Sequence, residues 1–208
     1  LKQLTKLFLS AFTISFLGSL PLGSLNLTIT NISLQIGYYS ALNFAIGAIL
    51  VEVLMVRLSY TAIVQLEKYK PLIKKLNWVS IVVLVTLSIF FISAAFKATT
   101  SNSTGSIKLE YPILWGALLS FLNPLHLPFW MAWSSILKSK GLLTSQLIDQ
   151  INYLFAIALG TGLAFCLYAT LGTELTTFLQ NKAYLVNGMI GFTFLVIAII
   201  QLIKQLRK

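Results

Sequence analysis

The chain has 208 residues, of which 57% are hydrophobic and only 10% charged, with a formal net charge of +10. Soluble domains carry about 25% charged residues, so this chain has too little charge to cover a water-facing globule, and a mean hydropathy of +0.87 sets its surface against lipid. The 15 basic residues fall between apolar runs rather than along one helical face with interleaved aromatics, which argues against nucleic acid as a partner.

Crossing the hydrocarbon core of a bilayer takes about 20 apolar residues. Six segments meet that length: Leu4–Ile29, Ala41–Val64, Trp78–Phe96, Tyr111–Ile136, Tyr153–Leu175 and Tyr184–Ile203. The runs are continuous and far longer than strands, so the expected class is all-α, a polytopic membrane protein with six transmembrane helices. Lys2 and Lys6 ahead of Leu7–Leu20 resemble a signal peptide, but Pro21 and another long apolar stretch follow, and the segment reads as the first membrane helix. Trp78, Tyr111, Tyr153 and Tyr184 each open a segment, where an amphipathic ring suits the headgroup level.

The charges between segments predict orientation. With both termini cytoplasmic, 11 cations lie inside and 3 outside, namely Lys97, Lys108 and Lys182; Arg57 falls within the second segment. The polar stretch Lys97–Glu110 divides the chain nearly in half, so residues 1–98 and 111–208 read as two three-helix repeats joined by a loop at 99–110. The halves share ordered islands. Phe16-Leu17 precedes Pro21 and Phe121-Leu122 precedes Pro124, while Phe44-Ala45-Ile46 and Phe155-Ala156-Ile157 open the next segments. An odd number of helices per half would set the copies in opposite orientations, the inverted repeat of many secondary transporters.

Two proline-bearing interruptions fall at matching places, Pro21-Leu22-Gly23-Ser24-Leu25-Asn26 and Asn123-Pro124-Leu125-His126-Leu127-Pro128. Broken spans free backbone groups and are tolerated where they face protein or a wet cavity, which makes Pro21, Gly23, Asn26, Asn123, Pro124 and His126 the candidate substrate-binding residues. Glu52 is the twelfth of the 24 residues in its segment, near the bilayer midplane. A charge there costs about 2.5–3.5 kcal/mol on insertion scales, and Glu52 reads as a proton-coupling carboxylate. The competing reading is a protonated side chain hydrogen-bonded to a neighbouring helix.

Arg57 lies about 140° around the helix from Glu52, either snorkelling or paired in the core. His126, the single histidine, suits either a proton relay or a neutral hydrogen-bonding role beside the broken backbone. Ala156, Gly160, Ala164 and Gly172 form a small-residue stripe, and Asn187, Gly188 and Gly191 a second cluster, both expected at helix contacts. Cys166 is the single cysteine and reads as a buried small hydrophobe. No nucleophile–base pair, phosphate loop or metal-ligand spacing is present in the sequence, so neither an enzyme nor a cofactor or metal site is expected.

At Pro21-x-Gly23-x-x-Asn26 the chain resembles the lysine-exporter (LysE) superfamily of small amino-acid exporters. The resemblance continues at Gly47-Ala48, Glu52 and Asn123-Pro124. The superfamily commonly has Lys or His directly after Asn-Pro, whereas Leu125 stands there and His126 is displaced by one. Redox carriers of the same superfamily need paired cysteines, which Cys166 alone does not supply. The resemblance implies export, while the broken helices and buried carboxylate on their own imply only a transporter. The expected function is therefore a proton antiporter exporting amino acids or related metabolites across the cell membrane. A passive channel and a non-transporting assembly subunit are the alternatives. The expected partners are a small-molecule substrate, the lipid bilayer and a second copy of the chain in a homodimer.

Overall fold

The computed structural model describes residues 2–21, 23–66, 110–123, 126–181 and 183–206, with individual helical positions between Trp78 and Phe96. The described residues form seven helices: α1 (Lys2–Ser19), α2 (Ser24–Gln35), α3 (Tyr38–Leu66), α4 (Pro112–Phe121), α5 (His126–Ser139), α6 (Leu147–Asn181) and α7 (Ala183–Leu206). There is no strand among them, as the continuous apolar runs require.

Two helices are long and apolar enough to cross a membrane alone, Tyr38–Gln65 within α3 and Leu147–Gly172 within α6. At 1.5 Å per residue, 28 residues reach about 42 Å, beyond the roughly 30 Å hydrocarbon core. Their surfaces are two-faced. Ile46, Leu50, Leu54 and Leu58 form an exposed stripe at four-residue spacing on α3, and Ile151, Phe155, Leu159 and Leu163 form another on α6. Exposed leucine and phenylalanine stripes on helices of this length are the surface that lipid covers.

The first and fourth predicted segments are bent pairs rather than straight helices. α1 and α2 meet at 72°, and α4 and α5 at 67°. If each pair is one span, the described spans number four. The predicted segment Trp78–Phe96 is described only at separate positions, each of them helical, and in α7 the described apolar stretch is Gly191–Ile200. α6 begins six residues before the predicted Tyr153 and carries non-helical dihedrals at Leu171 (φ −116°, ψ 23°).

The chain divides into two compact units, Leu1–Tyr60 with Ser103–Thr177, and Thr61–Asn102 with Phe178–Lys208. In the first, α2 packs against α4. Glycines carry the tightest crossings: a Cβ on Gly47 would collide with the Ile113 carbonyl of α4, and one on Gly116 with the Phe44 carbonyl of α3. A Cβ on Gly160 of α6 would fall 2.6 Å from the Phe12 carbonyl oxygen of α1. One on Gly172 would strike the Thr30 side chain of α2. The small-residue stripe of the fifth predicted segment is thus a packing stripe. In the second unit, Ser88 donates to the Gly191 carbonyl at 2.8 Å, and a Cβ on Gly191 would meet Ile92 at 2.7 Å. Among the described residues nothing crowds Gly188.

Candidate functional site: a buried carboxyl between two broken helices

The first break is held by side chains. α1 stops at Ser19 and α2 restarts at Ser24, with Gly23 at its N-cap in extended conformation (φ −132°, ψ 171°). The end of α1 leaves carbonyls without a helical partner, and two side chains supply donors. Asn26 Nδ2 donates to the Ser19 carbonyl at 2.8 Å and to the Pro21 carbonyl at 2.7 Å. The Tyr168 hydroxyl, from α6, donates to the Leu20 carbonyl at 2.5 Å. Tyr168 also lies beside Asn26, but its one proton is committed to Leu20. Among the described residues, buried Asn26 Oδ1 is left with no donor. The N-terminus of α2 has no side-chain cap; the Gly23 carbonyl accepts the Leu27 N–H at 3.0 Å.

The second break follows Phe121. The Asn123 N–H donates to the Ser120 carbonyl at 3.2 Å, and the Asn123 carbonyl accepts the His126 N–H at 3.3 Å. Pro124 lies outside the described residues. His126 is the first residue of α5, whereas Tyr111–Ile136 read as one span sets it mid-helix. Ser120 gives its proton to the Ala48 carbonyl of α3 at 2.9 Å. In the 3.5 Å contact between Ser120 Oγ and His126 Nδ1, the imidazole is therefore the only available donor.

Glu52 joins these parts. It is the fifteenth of the 29 residues of α3 and is buried. Trp130 Nε1, one turn beyond His126 on α5, donates to its Oε1 at 3.2 Å. Thr161 of α6 lies beside the Glu52 carboxyl. Thr161 Oγ1 lies 2.6 Å from Ser15 Oγ and 3.2 Å from Ser19 Oγ, both on α1. Ser15 also donates to the Ile157 carbonyl at 2.8 Å. Around this cluster the Trp130 indole packs edge-on against Tyr153, whose hydroxyl pairs with Ser134 at 3.0 Å.

The structure thus brings Glu52 to the first break through Thr161 and Ser19, and to the second through Trp130 and α5. Pro21, Gly23 and Asn26 share the first break, Asn123 and His126 the second. Arg57 is exposed on α3, away from the buried face that carries Glu52. Ser15, Ser19, Trp130, Thr161 and Tyr168 are the members of this site that sequence reasoning did not single out. The clue for Trp130 is an indole well inside an apolar segment rather than at its end. Among the described residues no group of acidic, histidine and cysteine side chains could hold a metal ion.

Lipid-facing stripes, two bent helix pairs and a carboxyl buried in the middle of an apolar helix mark a multi-pass membrane protein. The LysE type translocator family matches residues 16–205, most of the length, and the chain belongs to that family of membrane transporters. Comparison with curated proteins and with solved structures gives no match.

Proposed function

We propose that this protein exports amino acids or related small metabolites from the cytoplasm by proton antiport, with Glu52 carrying the coupled proton. The observation that bears most weight is Glu52 itself, buried mid-span, hydrogen-bonded to Trp130 of α5 and beside Thr161 of α6. A carboxyl in that position costs insertion energy that an apolar residue would avoid. The first break offers complementary groups to a zwitterion. Uncapped N–H groups at the start of α2 suit a carboxylate, and Asn26 Oδ1 is an open acceptor for an ammonium group.

The proposed architecture is six helices in two inverted repeats, residues 1–98 and 111–208, joined at 99–110 and rocking between inward and outward access. Reciprocal contacts support it. Ser15 of the first half donates to the Ile157 carbonyl in the second, and Ser120 of the second half donates to the Ala48 carbonyl in the first. Each serine precedes a Phe-Leu pair. Likewise Thr30 and Ser33 of α2 bond carbonyls of α6, and Ser59 of α3 bonds the Leu127 carbonyl of α5. The site residues would be Pro21, Gly23, Asn26, Asn123, Pro124 and His126, in a cell-membrane protein with cytoplasmic termini that pairs as a homodimer.

The test is uptake and counterflow of a panel of labelled amino acids in proteoliposomes, with and without a proton gradient. Glu52→Gln keeps the shape and hydrogen bonding but cannot ionise, so gradient-driven export should collapse while the purified variant stays folded. Wild-type rates with ordinary gradient dependence in this variant would return Glu52 to a structural role, and flux indifferent to the gradient in the wild type would make the protein a channel.

A further inference from the structure

The bonds between the two bent pairs and the two long helices recur at the same helix positions. Ser15 of α1 donates to the Ile157 carbonyl, the eleventh residue of α6, and Ser120 of α4 to the Ala48 carbonyl, the eleventh of α3. Eleven residues further along each long helix, close to three turns and so on the same face, a hydroxyl reaches back to a carbonyl at a break. Tyr168 of α6 meets the Leu20 carbonyl, and Ser59 of α3 meets the Leu127 carbonyl. Both side chains are fully buried. A hydroxyl sealed from water needs a partner, so the choice of acceptor matters at each break.

The two hydroxyls have chosen differently. Tyr168 lies 2.5 Å from the Leu20 carbonyl, and Asn26 holds the Ser19 and Pro21 carbonyls on either side of it. Ser59 lies 2.7 Å from the Met55 carbonyl, one turn back on its own helix, and 3.3 Å from Leu127. Hydroxyl hydrogen bonds run to about 3.0 Å, and Ser59 has one proton. That proton therefore lies mainly on Met55, and the hold on Leu127 is slack.

α3 and α6 meet near their middles, where a Cβ on Gly162 would lie 3.6 Å from Ile49 Cδ1. Ser59 is ten residues past that meeting on α3 and Tyr168 six past it on α6, about 15 and 9 Å along the axes. In the inverted architecture proposed above the two helices run in opposite directions. Tyr168 then faces the outer side of the meeting point and Ser59 the cytoplasmic side.

We propose that Tyr168 and Ser59 are the two latches of alternating access, Tyr168 sealing the first break toward the outside and Ser59 the second toward the cytoplasm, engaged in turn. The arrangement seen has the outer latch made and the inner one slack, the state that receives substrate from the cytoplasm. In the converse state Tyr168 releases Leu20, and the Ser59 hydroxyl turns from Met55 to Leu127. No covalent bond changes. The inference rests on the alternating-access reading and assigns both residues as positioning residues that act through the breaks.

The test reads access beside each break with Ser24→Cys and Leu122→Cys reporters, both at exposed positions, in a Cys166→Ala background. An impermeant maleimide is applied to right-side-out and inside-out membrane vesicles, and labelling rates are taken on protein that elutes as a single peak. With both latches intact, the Leu122→Cys reporter should label from the cytoplasmic face faster than the Ser24→Cys reporter does from outside. Removing one hydrogen bond shifts a two-state balance by about 2- to 13-fold. Tyr168→Phe should therefore slow the first rate and raise the second within that range. Ser59→Ala should do the reverse, read chiefly as slower outside labelling of the Ser24→Cys reporter, and Ser59→Thr should restore the original rates. Should Tyr168→Phe fail to fold, the two Ser59 variants carry the same test. Shifts in one common direction, as general loosening would give, or rates that do not move, would overturn the latches and leave alternating access standing. Labelling of both reporters from both faces with the latches intact would make the protein an open pore and overturn both readings.

Discussion

Gly160→Ala tests whether the α1–α6 crossing is as tight as its geometry implies. The added methyl carbon would sit 2.6 Å from the Phe12 carbonyl oxygen, 2.9 Å from Ser15 Cβ and 3.0 Å from the Phe16 nitrogen. Two of these neighbours are backbone, so no side chain can swing aside. Reaching ordinary contact near 3.4 Å requires α1 to retreat by about 0.8 Å. That retreat would stretch the 2.8 Å Ser15–Ile157 bond to about 3.6 Å, past the limit of a hydrogen bond. Overpacking of this kind costs about 1–3 kcal/mol, and each lost hydrogen bond about 0.5–1.5 kcal/mol. The better helix propensity of alanine returns at most about 1 kcal/mol.

Gly162→Ala supplies the control on the same helix. Its methyl would meet only the Ile49 Cδ1 atom, at 3.6 Å. That contact is ordinary packing, and the substitution should be neutral or slightly stabilising. Thermal unfolding in detergent, followed by fluorescence size exclusion, compares the two. Gly160→Ala should melt several degrees below the wild type and Gly162→Ala at or above it. Equal melting temperatures, or the reverse order, would refute the reasoning.

The tie at the first break predicts that Asn26→Ala, which leaves the Ser19 and Pro21 carbonyls without their side-chain donor, loses about 1–3 kcal/mol for each buried group left unpaired, read as a lowered melting temperature. Any additional loss of substrate affinity, measured on the folded fraction, is the part owed to Asn26 Oδ1. Tyr168→Phe removes only the donor to the Leu20 carbonyl and should cost about half as much, checked in the same melting assay. The charge distribution predicts that a cysteine at Lys70 is shielded from an impermeant thiol reagent in intact cells, while one at Ser103 is labelled, in a Cys166→Ala background.

Apolar run length made the helical, membrane-embedded character legible, because lipid imposes one solution on 20 successive apolar residues. Glu52 stood out for the same reason, as a carboxyl where each neighbour is apolar. The breaks at Pro21 and Asn123 were legible from proline and glycine, but their angles were not. Hydropathy records how apolar a run is and carries nothing about its direction, so a run bent by 67° reads as one helix with His126 in its middle. Thr161, Ser15 and Ser19 were illegible for another reason. Hydroxyl residues occur throughout apolar helices, and what makes these three a cluster is the register between α1 and α6, set by partners 142 to 146 positions apart. Trp130 was illegible because an indole inside an apolar run gives no sign of where its N–H points; the structure puts that N–H on Glu52.

The reciprocal crossings also set an order in which the chain can be completed as it leaves the ribosome. Ser120 finds Ala48 only 72 residues back, so α3 and α4 can lock while the second half is still being made. Ser15 must wait for Ile157, 142 residues later, roughly 7–28 s at 5–20 residues per second. Through that interval α1 is in the bilayer with Ser15 and Ser19 unmatched, and Asn26 beside it lacks the Tyr168 that closes its break. Of the helices described, the first to be made is among the last to be seated.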